Sequence, residues 1–349
     1  MPFRMSTPIK HILVIRLSAM GDVAMCIPIL RRFTATYPEV QLTVLTRSFF
    51  APFFKDIPNV KVFSPDLKGK HKGFLGIQKL SKELHRLNID AVADLHNVLR
   101  SNILVQLLRL KGVPFKQIDK GRSEKRALIR AYNKVFKPLK TTHERYADVF
   151  KALGYPLDIS IKNIVPIQKP LPTKIASYIG ETEKKRIGIA PFAAHEGKMY
   201  PLTHMQKVIQ ELSKTYKIIL FGGGKHEKEC LDEIANKCTD VISVAGKFSL
   251  EEELVLISNL DLMLSMDSGN GHLAAMFGVK VITIWGATHP YAGFKPYGQP
   301  DSYDILPNRE KFPLLPTSIY GNKKVKGYEH VMHSIAPEII IETIKKELN

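Results

Sequence analysis

Residues 260–286 carry the pattern that most constrains the fold of this chain. An apolar run (260–266) ends in the polar loop DSGNGH, a helix of small residues continues to Phe277, and a second apolar run (279–285) follows. Strands that alternate with helices are typical of βαβ units in a parallel sheet. The loop gathers backbone amides at the N-terminus of a helix, where the helix dipole favours an anion, most often a phosphate. The pattern therefore predicts an α/β fold that binds a phosphorylated ligand.

The same alternation of apolar strands and helices fills both halves of the chain. Further strands are predicted at 11–17, 41–47, 60–64, 91–96, 186–191, 217–223 and 241–246. Between the two sets, Pro166, Pro170 and Pro172 predict an extended linker, because proline removes a donor and biases its predecessor towards extended geometry. At 349 residues and 44% hydrophobic content, the chain can bury large cores. We therefore predict two doubly wound α/β domains around one cleft, spanning 1–168 and 169–349.

Cysteine usage and hydropathy predict a cytoplasmic protein. The three cysteines, Cys26, Cys230 and Cys238, form no CxxC motif and no Cys/His cluster, which indicates reduced thiols and disfavours disulfides and zinc. No sequence window approaches 18 uncharged apolar residues, so we expect no membrane-spanning segment.

The net charge of +18 indicates anionic partners, and half of it is concentrated in one stretch. Between Arg109 and Lys151 there are 13 Lys and Arg against 4 Asp and Glu. A phosphorylated substrate, an anionic bilayer surface or nucleic acid would each explain this charge, and so would a solvated helical face. No helix-turn-helix, zinc or RNP pattern is visible, so a nucleic-acid partner is not expected.

The first predicted strand runs into a short loop and then Asp22, which opens a helix. Asp is a favoured N-cap residue, and capping alone would explain its presence. The alternative is a functional carboxylate at the carboxyl edge of the sheet, where open α/β folds bind ligands. There Asp22 could accept a proton from a substrate hydroxyl as a general base.

Three features of the second half follow predicted strands and could converge on one nucleotide. Lys198 lies in a loop after a strand, FGGGKHEKE (221–229) is a Gly-rich turn, and the DSGNGH loop contributes amides with Asp267 and His272. The Gly-rich turn lacks the GxxxxGK[ST] pattern of a P-loop ATPase. A lone lysine or a lone glycine-rich turn is weak evidence for a ligand site, but three such features at successive strand ends favour a nucleotide site.

Five segments together resemble glycosyltransferase family 9, the heptosyltransferases of lipopolysaccharide core assembly. They are HILVIRLSAMGDVAMCIPIL, DLHNVLRS, HERYADVF, IAPFAAHEGKMYPL, and MDSGNGHLAAMFG followed by VITIWGATHP. The resemblance runs in matching order from about residue 10 to 345. It implies a GT-B architecture of two Rossmann-like domains facing one cleft, with the acceptor bound by the N-terminal domain and a nucleotide sugar by the C-terminal one. It also implies that the last helix, 337–348, can pack back on the N-terminal domain.

The activity implied by the resemblance is inverting transfer without a metal or cofactor. A heptose or similar sugar would move from a nucleotide donor, ADP-heptose, to a lipid-linked, phosphorylated inner-core acceptor. Carried over by position, Asp22 is the general base, and Lys198 stabilises the departing diphosphate, whose charge grows in the transition state. The chain has Ala193 and Ala194 where characterised relatives carry a hydroxyl pair.

The resemblance also assigns the binding residues. Donor contacts are expected at Gly222, Gly223, Glu227, Phe248, Asp267, Ser268, Gly269 and His272. Acceptor contacts are expected at Gly21, Arg100, Arg122, Arg126, Arg130 and His143. The basic residues would also favour peripheral association with the anionic inner leaflet. Each charge near the leaflet would contribute on the order of 1 kcal/mol to the binding free energy.

Three other functions compete with this interpretation. The chain could use another nucleotide sugar within family 9, or it could be a sugar-nucleotide epimerase of the same GT-B architecture, which needs no lipid acceptor. A nucleotide-dependent dehydrogenase also uses twin α/β domains, but neither first strand leads into GxGxxG with an acidic residue about 20 positions later.

Overall fold

The computed structural model describes residues 9–160 and 166–349, which form two compact units. The first unit comprises 9–120 and 142–160, and the second comprises 121–141 and 166–349. The first eight residues of the predicted N-terminal domain, and residues 161–165 at the start of the predicted linker, lie outside the described residues.

Residues 9–160 form five strands, six α-helices and a 3-10 helix at Ser48–Phe54. The strands are β1 His11–Ile15, β2 Gln41–Leu45, β3 Val60–Phe63, β4 Ala91–Asp94 and β5 Phe115–Gln117, and the helices are α1 Met20–Ala24, α2 Cys26–Thr36, α3 Gly73–His85, α4 Leu99–Arg109, α5 Arg122–Leu128 and α6 Thr142–Ala152. All of these elements except α5 belong to the first unit. The five strands form one parallel sheet in the order β3-β2-β1-β4-β5.

β1 is the central strand of this sheet, and its sequence, HILVI, is almost entirely apolar. Its last four residues are fully buried, as expected for a parallel strand covered by helices on both faces. Val14 lies opposite Val44 of β2 on one side and Ala93 of β4 on the other. The chain winds outward through β2 and β3, then returns to the other side of β1 with β4. The switch point, where such folds bind ligands, therefore lies between β1 and β4.

The second unit repeats this plan with six parallel strands. Its elements are α7 Thr173–Ile179, β6 Arg186–Ala190, α8 Leu202–Ser213, β7 Lys217–Leu220, α9 Gly224–Asn236, β8 Val241–Ser243, α10 Leu250–Ile257, β9 Leu262–Met266, α11 Gly269–Ala275, β10 Lys280–Ile284, β11 Asp304–Ile305 and α12 Pro337–Leu348. The strand order is β11-β10-β9-β6-β7-β8. The switch point of this sheet lies between β6 and β9.

The basic segment 121–141 packs with the second unit, whereas the sequence prediction placed it in the first domain. Its apolar residues Leu128 and Leu139 are buried in a cluster with Ala292 and Ile319. Lys134 also stabilises the packing of the segment on the second unit. Its ammonium group donates three hydrogen bonds of 2.8 to 3.0 Å, to the carbonyls of Leu128, Leu314 and Pro316. Three predicted acceptor residues, Arg122, Arg126 and Arg130, consequently belong to the second unit.

The final helix, α12, also packs within the second unit. Ile340, Ile344 and Leu348 belong to the core formed by β6, β7 and β9, and the helix lies against α8. The sequence assigned this helix to the domain 169–349, and its apolar stripe is buried in the core of the second unit. That it can also pack on the N-terminal domain stays a prediction. Within the described ranges, no helix is long and apolar enough to cross a membrane.

Candidate active site

Asp22 lies on α1, directly after β1, at the switch point of the first sheet. Its Oδ2 pairs with Arg16 Nη2 at 2.5 Å and accepts a hydrogen bond from the Ala19 amide at 3.2 Å. The Asp22 side chain is 29% exposed and that of Arg16 only 8%. The predicted base is therefore held from the protein side while part of the carboxylate faces solvent.

The guanidinium of Arg16 has a second anchor at the neighbouring strand. Nη1 donates to the Leu95 carbonyl at 2.6 Å, immediately after β4. Arg16 also lies beside the ring of Tyr146, with 5.9 Å from Cζ to the ring centroid, and the Tyr146 hydroxyl donates to the Asp22 carbonyl at 3.1 Å. The sequence did not indicate Arg16 as a site residue, because a guanidinium partner of Asp22 cannot be recognised without the fold.

His96 is a second residue that sequence reasoning missed. It follows β4, is 9% exposed, and its Nδ1 has no hydrogen-bond partner among the residues that the structure describes. Burial lowers the pKa of His96 to about 4, and the positive charge of Arg16 acts in the same direction. The imidazole is therefore neutral at physiological pH. The Asp94 carboxylate stabilises the turn after β4, because its Oδ1 accepts hydrogen bonds from the amides of His96 and Asn97 at 2.9 and 3.0 Å.

The other acceptor residues predicted in the first unit lie on three helices. Gly21 is in α1, Arg100 is half-buried in the first turn of α4, and His143 is buried at the start of α6. The position of Gly21 beside Asp22 places it at the switch point. The described contacts do not join Arg100 or His143 to Asp22.

Lys198 and Asp267 meet at the switch point of the second sheet. Lys198 closes the loop after β6 and Asp267 follows β9 directly, and Lys198 Nζ lies 3.1 Å from Asp267 Oδ2. Both side chains are largely buried, with 14% and 7% exposure. The pair is held in a low-dielectric environment, where an added negative charge would interact strongly with the ammonium group.

Close backbone contacts hold the Lys198 loop. The Ala287 amide donates to the Gly197 carbonyl at 2.7 Å. Gly321 has a φ of +79°, and a Cβ built on it would collide with Lys198 Cγ. Only glycine fits this position, both because of its left-handed backbone and because of the lysine stem against it.

The DSGNGH loop leads into α11, a helix of seven residues. Ser268 is its extended N-cap residue, and its buried Oγ has no partner within the described part of the chain. Gly269 begins the helix, and His272 is buried within it. A Cβ on Gly271 would lie 2.6 Å from Ser265 Oγ, so this glycine lets α11 pack closely on the sheet.

The Gly-rich turn after β7 contains Gly222, Gly223 and Glu227. Glu227 Oε2 accepts the Gly223 amide at 2.7 Å, which caps α9 from within its first turns. A Cβ on Gly222 would lie 3.1 Å from the same oxygen, whereas Gly223 faces open space. One oxygen of Glu227 is thus occupied by the backbone, and the space in front of Gly223 is accessible to a ligand.

Phe248 follows β8 and lies among cationic and aromatic groups. Its ring is edge-on to Tyr178, with 5.3 Å between centroids, and Lys174 Nζ lies 5.7 Å from its centroid. Lys174 is also paired with Glu252 at 2.6 Å, in the first turn of α10. This half-buried aromatic group can provide one face for a planar ring.

A basic cavity of about 550 Å³ lies in the second unit beside α5. Its lining residues are Ser123, Arg126, Ile129, Arg130 and Lys323. Arg122 is exposed on the same helix, whereas Lys125 is buried with Nζ 4.1 Å from the centroid of Phe294. Lys323 was not predicted as a site residue, because it lies about 200 positions after α5 along the chain. The described residues contain no group of three His, Cys, Asp or Glu placed to hold a metal ion.

The chain is similar to known proteins over most of its length. The sequence model of glycosyltransferase family 9 (heptosyltransferase) matches residues 77–313. Lipopolysaccharide heptosyltransferase 1 of Campylobacter coli is 27% identical over 300 residues, covering 80% of this chain and 85% of its own length. Lipopolysaccharide core heptosyltransferase OpsX of Haemophilus influenzae is 25% identical and covers 99% of both chains.

Among solved structures, the Escherichia coli heptosyltransferase WaaC with ADP superimposes with a TM-score of 0.68 at 18% identity, covering 97% of this chain and 99% of that one. This likeness, with the two parallel sheets flanked by helices, confirms the predicted α/β fold of two Rossmann-like domains of the GT-B type.

Proposed function

The chain belongs to glycosyltransferase family 9, and from that premise we propose that it transfers a heptose from ADP-heptose to a lipopolysaccharide inner-core acceptor. The transfer inverts the anomeric centre and needs no metal. The observation that carries the proposal is the placement of the charged residues. Each sheet has a switch point, and the carboxylate of Asp22 lies at one while the Lys198–Asp267 pair lies at the other.

The proposed reaction is a single displacement. The acceptor hydroxyl oxygen attacks the anomeric carbon of the donor, and Asp22 accepts the hydroxyl proton as the new C–O bond forms. The bond between the anomeric carbon and the diphosphate oxygen breaks, and the diphosphate leaves with the electron pair. Attack on the face opposite the leaving group inverts the configuration.

Lys198 stabilises the leaving diphosphate in this proposal. Negative charge accumulates on the diphosphate oxygens as the bond breaks, so a fixed cation stabilises the transition state more than the ground state. The short contact to Asp267 and the close backbone around Gly321 hold the ammonium group in place before substrate binds. Ser268, whose hydroxyl has no partner among residues 9–160 and 166–349, completes the proposed diphosphate and sugar contacts together with Gly269 and His272.

The donor nucleotide is proposed to be ADP-linked. A relative of the same fold, the E. coli heptosyltransferase WaaC, has been solved with ADP. We propose that the nucleobase packs on Phe248, whose ring is half-buried beside Tyr178, and that Gly222, Gly223 and Glu227 contact the ribose. The open space at Gly223 supports this assignment.

The acceptor is proposed to be a phosphorylated glycolipid. Arg122 and Arg126 on α5, and Arg130 just after it, present guanidinium groups suited to phosphate and carboxylate oxygens. Gly21, Arg100 and His143 are the proposed contacts in the first unit. The exposed side chain of Tyr132 beside these arginines is suited to a membrane surface, so we also propose peripheral association with an anionic leaflet.

The test begins with the donor. A thermal-shift panel of ADP-, GDP-, UDP- and dTDP-sugars should show selective stabilisation by the ADP-sugar, because a ligand that binds only the folded state raises its stability. Mass spectrometry should then show one heptosyl residue added to a lipopolysaccharide core lacking heptose, with inverted anomeric configuration by NMR and full activity in EDTA.

Two results would reject this function. Conversion of the donor alone into an isomer would indicate an epimerase, and selective stabilisation by a different nucleotide sugar would replace ADP-heptose as the donor. Sedimentation with anionic but not zwitterionic vesicles tests the membrane proposal separately.

A further inference from the structure

The two oxygens of the Asp22 carboxylate have different surroundings. Oδ2 contacts both the Arg16 guanidinium at 2.5 Å and the Ala19 amide at 3.2 Å. Both of these contacts fall on Oδ2, and the Asp22 side chain is 29% exposed. The carboxylate is thus bound through one oxygen, and the other is available to a substrate.

Arg16 is itself fixed on two sides. Its Nη1 donates to the Leu95 carbonyl at 2.6 Å, so its two terminal nitrogens contact acceptors that follow two adjacent strands. The side chain is 8% exposed. A planar guanidinium held at both nitrogens has little rotational freedom, whereas a lysine has a single nitrogen for both acceptors.

This arrangement restricts rotation of the Asp22 carboxylate. Because Oδ2 contacts two groups, the plane of the carboxylate is fixed, and so is the direction of the Oδ1 lone pairs. Proton transfer requires the base within hydrogen-bond reach of the hydroxyl in a suitable orientation, and a displacement of about 1 Å can cost about 100-fold in rate.

We infer that Arg16 is a positioning residue for the transfer step, which fixes Asp22 through Oδ2 so that Oδ1 is the atom that receives the acceptor proton. The inference rests on the proposed function, because it assigns an orientation to the same base. In the step, the acceptor O–H bond breaks, the proton goes to Oδ1, and the oxygen electron pair forms the bond to the anomeric carbon. Arg16 touches neither substrate.

A purely structural role is the alternative. A buried ion pair often contributes little net stability, although loss of one partner is costly. Arg16 could therefore be retained only for packing. The two roles differ in what they change, since positioning affects kcat and packing affects the unfolding temperature.

The experiment uses the full-length protein with Arg16→Lys, Arg16→Gln and Arg16→Ala. We expect kcat to fall by about 10-fold for Arg16→Lys and by about 100-fold for Arg16→Ala, with the KM of donor and acceptor within about twofold. Guanidinium or methylguanidinium ion at non-denaturing concentration should restore part of the kcat of Arg16→Ala, because it can reoccupy the space beside Oδ2.

Arg145→Lys is the matched control. Arg145 is another buried arginine of the first unit, and it donates to the Asp119 carbonyl at 3.2 Å. We expect this variant to lower the unfolding temperature with little change in kcat. If Arg16→Ala does not fold, Arg16→Lys and Arg16→Gln carry the same comparison.

Three outcomes would overturn the inference: an unchanged kcat in the Arg16 variants, a loss confined to the KM values, or a kcat deficit in Arg145→Lys as large as in Arg16→Lys. Failure of the wild-type protein to transfer heptose would reject the proposed function instead. Normal wild-type transfer with normal Arg16 variants would reject this inference alone.

Discussion

The charged residues at each switch point form an ion pair within their own unit. Arg16 contacts Asp22 in the first unit, and Asp267 contacts Lys198 in the second. Each pair leaves part of its charge available, the carboxylate through Oδ1 and the ammonium through its remaining protons. A bound substrate therefore meets side chains whose positions are already set, which lowers the reorganisation needed during reaction.

Asp22→Asn should abolish transfer while the donor still binds. The amide side chain keeps the size of the carboxylate but cannot accept the acceptor proton, and general-base catalysis typically contributes about 10²- to 10⁴-fold. Single-turnover kinetics and donor titration by calorimetry measure the two effects. Turnover close to that of the wild type would exclude Asp22 as the base.

Gly321→Ala should lower kcat by displacing Lys198. The substitution puts a Cβ against the lysine stem, and it also strains a backbone with positive φ. We expect about a 10-fold loss of kcat, as the ammonium moves from the leaving group. Gly327→Ala is the matched control, because Gly327 has a φ of +83° and nothing within 4 Å of an added Cβ. Equal losses in both variants would show backbone strain alone.

Strands that lie in apolar runs could be predicted, and strands without such a run could not. The predicted strand at 279–285 corresponds to β10, and the predicted helix at 337–348 to α12. The three-residue β8 was predicted because it lies in the apolar run 241–246, whereas β5 (FKQ) and β11 (DI) contain no apolar run. Their pairing is decided by neighbouring strands, not by their own residues.

The same distinction holds for the candidate site. Asp22, Lys198 and Asp267 follow long strands, so their placement at sheet edges could be predicted. His96 follows a strand too, but a lone histidine in DLHN gives no signal of its burial. Lys323 approaches Arg126 only through packing of the basic segment on the second unit, which local sequence does not encode.

Charge reversal around α5 should weaken acceptor binding specifically. In the variant with Arg126, Arg130 and Lys323 replaced by Glu, we expect the acceptor KM to rise at least about 10-fold, with the donor KM unchanged, because phosphate contacts are charge-assisted. The control reverses three exposed lysines elsewhere in the second unit, Lys207, Lys311 and Lys346. A similar rise of KM in the control would indicate a net-charge effect and not a site.

The two sheets of the molecule share the same pattern of strand connections but present different charged residues. Both place their charged residues beyond the carboxyl ends of the two strands at the switch point, β1 with β4 and β6 with β9. The topology determines where a ligand binds, and a few loop residues determine which group is presented.

Stability of the second unit should fall between pH 6.5 and about 4. His289 is buried, and burial lowers its pKa to about 4, with the positive charges of Arg309 and Lys134 acting in the same direction. In that window the unfolded imidazole binds a proton that the folded one does not, so acidification favours unfolding, by up to about 3 kcal/mol for this group. Above pH 6.5 its contribution is constant.

Urea unfolding followed by the fluorescence of Trp285 checks this prediction. Trp285 is the single tryptophan, is buried, and donates to Asp304 at 2.9 Å, so it reports on the second unit. His289→Asn removes the titrating group and keeps an acceptor for the Tyr291 amide, which His289 Nδ1 accepts at 3.1 Å. The free energy of unfolding of this variant should fall less on acidification than that of the wild type. If the two free energies fell in parallel with pH, the assignment to His289 would be contradicted.

The path of the chain through 121–141 has a consequence for protein engineering. The polypeptide passes from the first unit to the second, returns at residue 142 and passes over again after 160, which makes three covalent crossings. A chimera of two family members joined only at the proline linker would inherit α5 from one parent and its packing partners, Ala292 and Ile319, from the other. Exchange of the second unit between such chains therefore requires a discontinuous graft, with 121–141 transplanted together with everything after the linker.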